Sequence, residues 1–127
     1  MKSSKVFLSL GSNLGDRNKN LSKCIEYLRE ISKIEKISSI YETKPFRVKI
    51  KQDDFLNLVV KIVYKKSPKD LLENISIIEQ SLGRLRSNRR NEPREIDIDI
   101  LFFENLINNE KDLIIPHPRF SERLFVL

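Results

Sequence analysis

The sequence predicts an α+β domain, built from a mostly antiparallel sheet with both helices on one face. Strand-like segments and two segments with helical spacing of apolar residues follow one another in the order β-α-β-β-α-β. This order is typical of the split βαβ arrangement of the ferredoxin-like sandwich. The length of 127 residues allows one such domain, with a C-terminal extension after its last strand.

The first half of the chain predicts two strands and a helix. Val6–Leu10 is a short apolar run typical of a buried strand, and residues 11–16 form a turn cluster of Gly, Ser, Asn and Asp. Apolar residues then recur at helical spacing over residues 16–33. Residues 36–43 are rich in Ile, Ser, Tyr and Thr and predict a second strand, and residues 44–54 predict a loop.

The second half predicts a strand, a helix and two further strands. Phe55–Tyr64 is rich in β-branched residues, and its alternation separates Leu58, Val60 and Ile62 from Asn57, Val59 and Lys61. A helix is predicted from Ser67-Pro68-Lys69-Asp70, a typical start, to Gly83, a typical end. An arginine-rich loop follows, then a strand over Glu95–Phe103 and a shorter one over Leu113–Ile115.

The composition excludes several classes of protein. A single Cys excludes an intramolecular disulfide framework, and with a single His it makes a His/Cys transition-metal site improbable. The longest apolar run near the start is too short to cross a bilayer, so a cytoplasmic protein without a membrane partner is expected. The net charge of +6 indicates a polyanionic partner, for which nucleic acid is the first class to consider.

The positive charge is concentrated in one segment. Five arginines lie within residues 84–94, where Glu92 is the only acidic residue. Arginine is preferred over lysine where a planar group must hold phosphate or carboxylate with two hydrogen bonds. An exposed basic loop accounts for the same pattern. The chain lacks an aromatic strand motif of the kind that binds RNA, which disfavours nucleic acid as the partner.

Two carboxylates follow the arginines on a predicted strand. Side-chain alternation places Asp97 and Asp99 on one face, roughly 6–7 Å apart, opposite isoleucines at 96, 98 and 100. Like charges so placed repel, and a pair of Mg²⁺ ions would offset the repulsion. A solvent-facing acidic edge, or neutralisation by a nearby arginine, explains the pair equally well. With Arg94 three residues ahead, the combination favours a site for a triphosphate.

Six motifs occur in a characteristic order. They are Gly11-Ser12-Asn13-Leu14-Gly15-Asp16, Tyr41-Glu42-Thr43, Phe55-Leu56-Asn57, Gly83-Arg84-x-Arg86, Pro93-Arg94-x-Ile96-Asp97-Ile98-Asp99-Ile100-Leu101 and Pro116-His117-Pro118-Arg119-x-x-x-Arg123-x-Phe125-Val126-Leu127. Over nearly the whole chain the sequence resembles the 6-hydroxymethyl-7,8-dihydropterin pyrophosphokinases of folate biosynthesis. The resemblance implies transfer of diphosphate from ATP to the hydroxymethyl group of the reduced pterin, with release of AMP.

The resemblance also implies roles for individual residues. Asp97 and Asp99 would hold two Mg²⁺ ions, with Asp97 also orienting the attacking hydroxyl, and Arg84 and Arg94 would stabilise the transferring group. The residues implied to bind ATP are Arg84, Arg86, Glu79, His117, Arg119 and Arg123. Those implied to bind the pterin are Gly11, Thr43, Lys44, Phe46, Phe55, Asn57, Asp97 and Phe125. From the residues alone, Glu79 fits a structural salt bridge and His117 fits an ordinary loop position.

The sequence departs from the family pattern in two places. Arg90-Asn91-Glu92 precedes Pro93 where the family has an aromatic residue and a glycine, and relatives continue well past Leu127. Residues 1–127 are therefore expected to be one pterin pyrophosphokinase domain that lacks the family's C-terminal end. A catalytically impaired, ligand-binding member and a small basic nucleic-acid-binding module remain the alternatives. For the favoured function we expect a monomer without a nucleic-acid partner.

Overall fold

The computed structural model of the protein describes residues 3–44, 52–83 and 94–104, and the backbone of residues 108–110 and 113–115. The elements within these residues are β1 (Ser4–Ser12), α1 (Arg17–Ile31), β2 (Lys33–Ile37), β3 (Tyr41–Thr43), β4 (Phe55–Tyr64), α2 (Pro68–Ser81), β5 (Asp97–Phe103), β6 (Asn108–Glu110) and β7 (Leu113–Ile115). Together they give the predicted α+β class.

Five strands form one antiparallel sheet in the spatial order β2-β4-β1-β5, and β3 also pairs with β4. Helix α1 connects β1 to β2, and α2 connects β4 to β5. Each helix thus links two strands that have a third strand between them. Strands β6 and β7 pair separately as a two-stranded sheet.

The two helices share one face of the sheet. The register aligns Leu10 of β1 with Leu58 of β4 on one side and with Ile98 of β5 on the other. These side chains form a single buried cluster with the apolar residues of both helices, which include Leu21, Cys24, Leu28, Leu71, Ile75 and Ile78. Burial of this apolar surface is the main term that stabilises the fold. No helix within the described residues has the length and hydropathy needed to cross a bilayer.

Local signals place the helix ends. The Asp16 carboxylate accepts a hydrogen bond from the Lys19 amide at 3.1 Å, and the Ser67 hydroxyl accepts one from the Asp70 amide at 3.1 Å. Both contacts satisfy amides that have no partner inside their own helix. Gly83 follows α2 with a φ of +101°, a conformation that glycine adopts without steric cost, so the predicted start and end of this helix are confirmed.

The far end of β4 is tied to α2 by a polar cluster. The buried Tyr64 hydroxyl donates to the Asp70 carboxylate and accepts from Asn74 Nδ2 at 2.9 Å. Burial, followed by the hydrogen bond to Asp70, raises the pKa of Tyr64 to about 12. The neutral phenol is therefore the form that the folded protein favours.

The strands differ from the sequence predictions in several places, and β2 already begins at Lys33 where residue 36 was predicted. Gly11 and Ser12 belong to β1 and not to the turn, since β4 pairs with both and β5 also pairs with Gly11. The predicted strand 36–43 is interrupted between Ile37 and Tyr41. There the Ser38 hydroxyl accepts a hydrogen bond from the Val59 amide at 2.8 Å, where a continuous strand would use a backbone carbonyl as the acceptor. Strand β5 begins two residues later than predicted, and the polar strand β6 was not predicted at all.

Candidate active site

The sheet face opposite the helices brings the candidate residues together at one end of β1. Gly11 lies on the central strand, where it pairs with Asn57 of β4 on one side and with Asp97 of β5 on the other. Thr43 of β3 pairs in turn with Phe55 of β4. Residues from four strands therefore line one continuous surface.

The amide of Asn57 is fixed by its neighbours. Asn57 is 6% exposed, and its Nδ2 donates to Thr43 Oγ1 at 2.9 Å and to the backbone oxygens of Tyr41 and Phe55 at 3.3 Å each. These contacts all engage the nitrogen of the amide. They leave Oδ1 as the atom with which Asn57 can accept a hydrogen bond from a ligand.

Gly11 leaves room for the side chains beside it. A Cβ at this position would lie 3.0 Å from Asn57 Oδ1 and 3.3 Å from Cδ1 of the Phe55 ring. Such contacts are tighter than nine in ten real Cβ contacts, so both groups would have to move. The glycine thus permits an aromatic ring and an amide to approach the central strand on the same face.

Asp97 and Asp99 lie on the same face as Gly11. They alternate along β5 with Ile98 and Ile100, which are buried against the helices, as the sequence pattern predicts. The Arg94 Nη1 atom lies 3.2 Å from Asp97 Oδ1. An arginine therefore lies against one of the two carboxylates. Neutralisation by a nearby arginine is one of the explanations that the sequence leaves open for this pair.

The two carboxylates fit a hard divalent cation that is shared with a ligand. In the described residues no group of three or more His, Cys, Asp or Glu side chains is placed to hold a metal. Mg²⁺ does not need such a group, because it is usually bound through one or two carboxylates, with waters and substrate phosphates completing the shell. The donor set suits a cation that arrives with a phosphorylated ligand.

Glu79 contacts the strand that carries the two aspartates. Its Oε2 accepts a hydrogen bond from the Ile98 amide at 3.0 Å, so α2 is anchored to β5 between Asp97 and Asp99. Burial, followed by the charge of Glu79, raises the pKa of the Cys24 thiol. Within the described residues, the Glu79 carboxylate contacts the backbone of Ile98, and the salt bridge that the residues alone suggest stays a prediction.

Asn13 is the functional candidate that the sequence analysis missed. It is 2% exposed, and its side chain contacts both the segment that precedes Phe55 and the backbone of Arg94. In the sequence Asn13 is one polar member of a turn cluster and of the first family motif, and neither assigns a role to its side chain. Its partners are 39 and 81 residues away, so no local pattern points to them.

The predicted site residues divide into two groups. The structure brings together Gly11, Thr43, Phe55, Asn57, Arg94, Asp97 and Asp99, and it places Lys44, which is exposed, directly after β3. Glu79 of the predicted ATP site lies on α2, in contact with the Ile98 amide of β5. The others lie outside the described residues: Arg84, Arg86, His117, Arg119 and Arg123 of the predicted ATP site, and Phe46 and Phe125 of the predicted pterin site.

Known proteins resemble this chain over almost its full length. It is 42% identical over 120 residues to the 2-amino-4-hydroxy-6-hydroxymethyldihydropteridine pyrophosphokinase of Aquifex aeolicus, covering 94% of this chain and 74% of that protein. It is 43% identical over 124 residues to the protein of the same name from Bacillus subtilis, covering 96% of this chain and 73% of that protein.

A two-function protein matches at a similar level. The chain is 45% identical over 124 residues to the bifunctional protein FolKE of Lactococcus lactis, of which it spans 35% of the length while 96% of this chain is covered. The sequence model of the 7,8-dihydro-6-hydroxymethylpterin-pyrophosphokinase (HPPK) family matches residues 7–127. The chain therefore belongs to the HPPK family.

Proposed function

We propose that the protein transfers diphosphate from ATP to the hydroxymethyl group of 6-hydroxymethyl-7,8-dihydropterin and releases AMP. The observation that carries the proposal is the position of Gly11, which pairs with the amide-bearing Asn57 on one side and with Asp97 on the other. On this proposal, a site for a flat heterocycle and a site for a metal-bound phosphate would lie side by side. The family match over residues 7–127 and the names of the relatives support the same reaction.

The pterin would lie beside β4. The Phe55 ring offers an aromatic face to a flat ring system, and Asn57 Oδ1 can accept from the amide edge of the heterocycle. Thr43 holds the amide in this orientation through its 2.9 Å contact. Lys44, Phe46 and Phe125 complete the proposed pterin site, as the family resemblance implies.

ATP would lie beside β5. Asp97 and Asp99 would hold two Mg²⁺ ions, which when bound neutralise phosphate charge and align the triphosphate. Arg94 and Arg84 would stabilise charge on the transferring group. Glu79, Arg86, His117, Arg119 and Arg123 complete the proposed nucleotide site, as the family resemblance implies.

The reaction that these residues would support is a displacement at phosphorus. The pterin hydroxyl oxygen, oriented by Asp97, attacks the β-phosphorus of ATP. The bond from that phosphorus to the oxygen bridging the α-phosphate breaks, AMP leaves with that oxygen, and the hydroxyl proton is released. Positioning and electrostatic stabilisation supply most of the catalysis in reactions of this class.

We also infer the finer architecture. The strand order β2-β4-β1-β5, with each helix spanning a strand between the two that it links, supports a ferredoxin-like sandwich. The family match from residue 7 to residue 127 supports a single pterin pyrophosphokinase domain.

The proposal is tested by product analysis. Purified protein with ATP, Mg²⁺ and 6-hydroxymethyl-7,8-dihydropterin should form AMP and the pterin diphosphate in equal amounts, measured by chromatography. Asp97→Asn and Asp99→Asn should each lower kcat by roughly 10²–10³-fold. Asp16→Asn is the matched control, because asparagine caps a helix as well as aspartate does.

Two results would count against the proposal. A folded wild-type protein that forms no AMP and binds neither substrate would remove the assignment. Binding of both substrates without AMP formation would instead identify a catalytically impaired member of the family.

A further inference from the structure

We propose that Asn13 is a positioning residue that holds the pterin side and the phosphate side of the site in one fixed geometry. The inference rests on the proposed function, because it assigns Asn13 a role in that reaction. Asn13 directly follows β1, between the segment that enters β4 and the residue that contacts Asp97. Its 2% exposure means that its polar groups are satisfied by the protein and not by bulk water.

One set of contacts holds Arg94. The Asn13 amide donates to the Arg94 carbonyl at 3.0 Å, and the Arg94 amide donates to Asn13 Oδ1 at 2.8 Å. This pair of hydrogen bonds fixes the backbone from which the Arg94 guanidinium reaches Asp97 at 3.2 Å. Loss of the Oδ1 acceptor would let the arginine move relative to the carboxylate.

The other set of contacts holds the start of β4. Asn13 Nδ2 donates to Gln52 Oε1 at 2.6 Å and to the Asp53 carbonyl at 3.2 Å. Residues 52–54 lead directly into Phe55, the proposed stacking residue for the pterin. Loss of the Nδ2 donor would loosen the approach to this ring while leaving Arg94 in place.

The chemistry explains why the residue is asparagine. A primary amide presents an acceptor and two donor hydrogens on one short, planar group. Aspartate would retain the acceptor for the Arg94 amide but would place a second acceptor against the Asp53 carbonyl, which can only accept. Serine has a single hydroxyl, which is too short to span both partners. Only the amide can connect the two segments at once.

The test compares three single variants. Asn13→Ala removes both sets of side-chain contacts. Gln52→Ala removes the Asn13 contact to Gln52 on the pterin side and leaves the Asn13 contacts to Arg94 in place. Asn20→Ala is the control, because Asn20 Nδ2 donates to Ser12 Oγ and to the Leu14 carbonyl in the same turn without contacting either segment. Steady-state kinetics with varied pterin and saturating ATP separate kcat from KM, and amide hydrogen exchange follows the Arg94 N–H.

The expected pattern distinguishes positioning from a general loss of stability. Asn13→Ala should lower kcat and raise the pterin KM, each by roughly tenfold, the scale of one or two lost hydrogen bonds. Gln52→Ala should raise the pterin KM with kcat within about twofold, and Asn20→Ala should change neither by more than about twofold. Exchange at the Arg94 amide should accelerate in Asn13→Ala only.

Several results would overturn the proposal. One is an Asn13→Ala protein that matches Asn20→Ala in both kinetic constants and in exchange. If Asn13→Ala does not fold, Gln52→Ala decides, and an unchanged pterin KM in that variant rejects the link. If the wild type forms no AMP, the proposed function fails. Exchange at the Arg94 and Asp53 amides then decides separately whether Asn13 holds the two segments.

Discussion

Arg94 and Asp97 form an ion pair in which Nη1 and Oδ1 are 3.2 Å apart and each side chain is about one quarter exposed, at 24% and 25%. An ion pair that water still reaches contributes little to stability. The backbone contacts between Arg94 and Asn13 hold this pair in place. The pair is therefore better explained by the reaction than by the fold, since the proposed phosphate site needs both groups at this place.

Replacement of Arg94 should reduce catalysis much more than it reduces stability. Arg94→Ala should lower kcat by roughly 10²–10³-fold, because a charge that stabilises the transferring group is lost. Arg94→Lys should give an intermediate kcat, because lysine keeps the charge but cannot donate two parallel hydrogen bonds to one phosphate. Steady-state AMP formation and thermal unfolding measure the two effects. Arg29→Ala, at an exposed position in the last turn of α1, serves as the control. An equal loss of kcat in Arg29→Ala and Arg94→Ala would reject the catalytic role of Arg94.

Thr43 should act on the pterin through Asn57. Thr43→Val removes the hydroxyl that accepts from Asn57 Nδ2 at 2.9 Å but keeps the shape of the side chain. The amide then loses a contact that fixes its orientation, and the pterin KM should rise by about three- to tenfold, as expected for one neutral hydrogen bond. Thr43→Ser retains the hydroxyl and should behave as the wild type. A similar pterin KM in both variants would show that the hydroxyl does not orient Asn57.

A side chain at Gly11 should interfere with the pterin and not with ATP. The Cβ of Gly11→Ala would lie 3.0 Å from Asn57 Oδ1 and 3.3 Å from the Phe55 ring, which must shift to relieve the contact. Crowding of this kind costs about 1–3 kcal/mol in well-packed regions. Binding titrations should show weaker affinity for the pterin and unchanged affinity for ATP. Equal losses for both ligands would point to a general distortion of β1.

Alkaline pH should destabilise the protein through Tyr64. Its pKa is raised to about 12 in the folded protein, from about 10 in the unfolded chain. The stabilisation from this group is complete below pH 10 and is lost as the pH rises from about 10 to about 12, because the unfolded chain releases the proton first. Urea unfolding across this range measures the effect.

Tyr64→Phe provides the comparison. The variant should be less stable at neutral pH by about 1–3 kcal/mol, because Asp70 and Asn74 lose their shared partner. The part of the alkaline loss that depends on Tyr64 should disappear in it. Parallel stability curves for the two proteins above pH 10 would contradict the assignment.

Cys24 should not react with thiol reagents while the protein is folded. It is fully buried, and burial raises the pKa of its thiol, so the reactive thiolate is disfavoured. Because it is the single cysteine of the chain, labelling reports on one site. Mass spectrometry should show no label in native buffer and one label in denaturant. Rapid labelling of the native protein would show that α1 opens far more readily than its packing implies.

Features that depend on local chemistry could be predicted from the sequence. The bounds of β4, the caps at both ends of α2 and the shared face of Asp97 and Asp99 all follow from neighbouring residues. Alternation along a strand fixes the direction of a side chain regardless of the rest of the fold. The family resemblance added the proposed roles of residues that no spacing rule could assign.

Features that depend on distant partners could not be predicted. Strand pairing holds Gly11 within β1 although its sequence is typical of a turn, and Ser38 uses its hydroxyl in place of a backbone acceptor. The contacts of Asn13 join residues up to 81 positions apart. Pairings of this range are set by topology, which local propensity does not encode.

The hydrogen bond from the Ile98 amide to Glu79 has a consequence for association between molecules. Among the described strands, β5 is the last in the order of its sheet, and the backbone groups at such an edge can recruit a strand from another chain. Glu79 occupies one of these donors at 3.0 Å and brings a negative charge to the edge. We therefore expect Glu79 to disfavour pairing of the β5 edge with a strand of another molecule, and so to reduce aggregation.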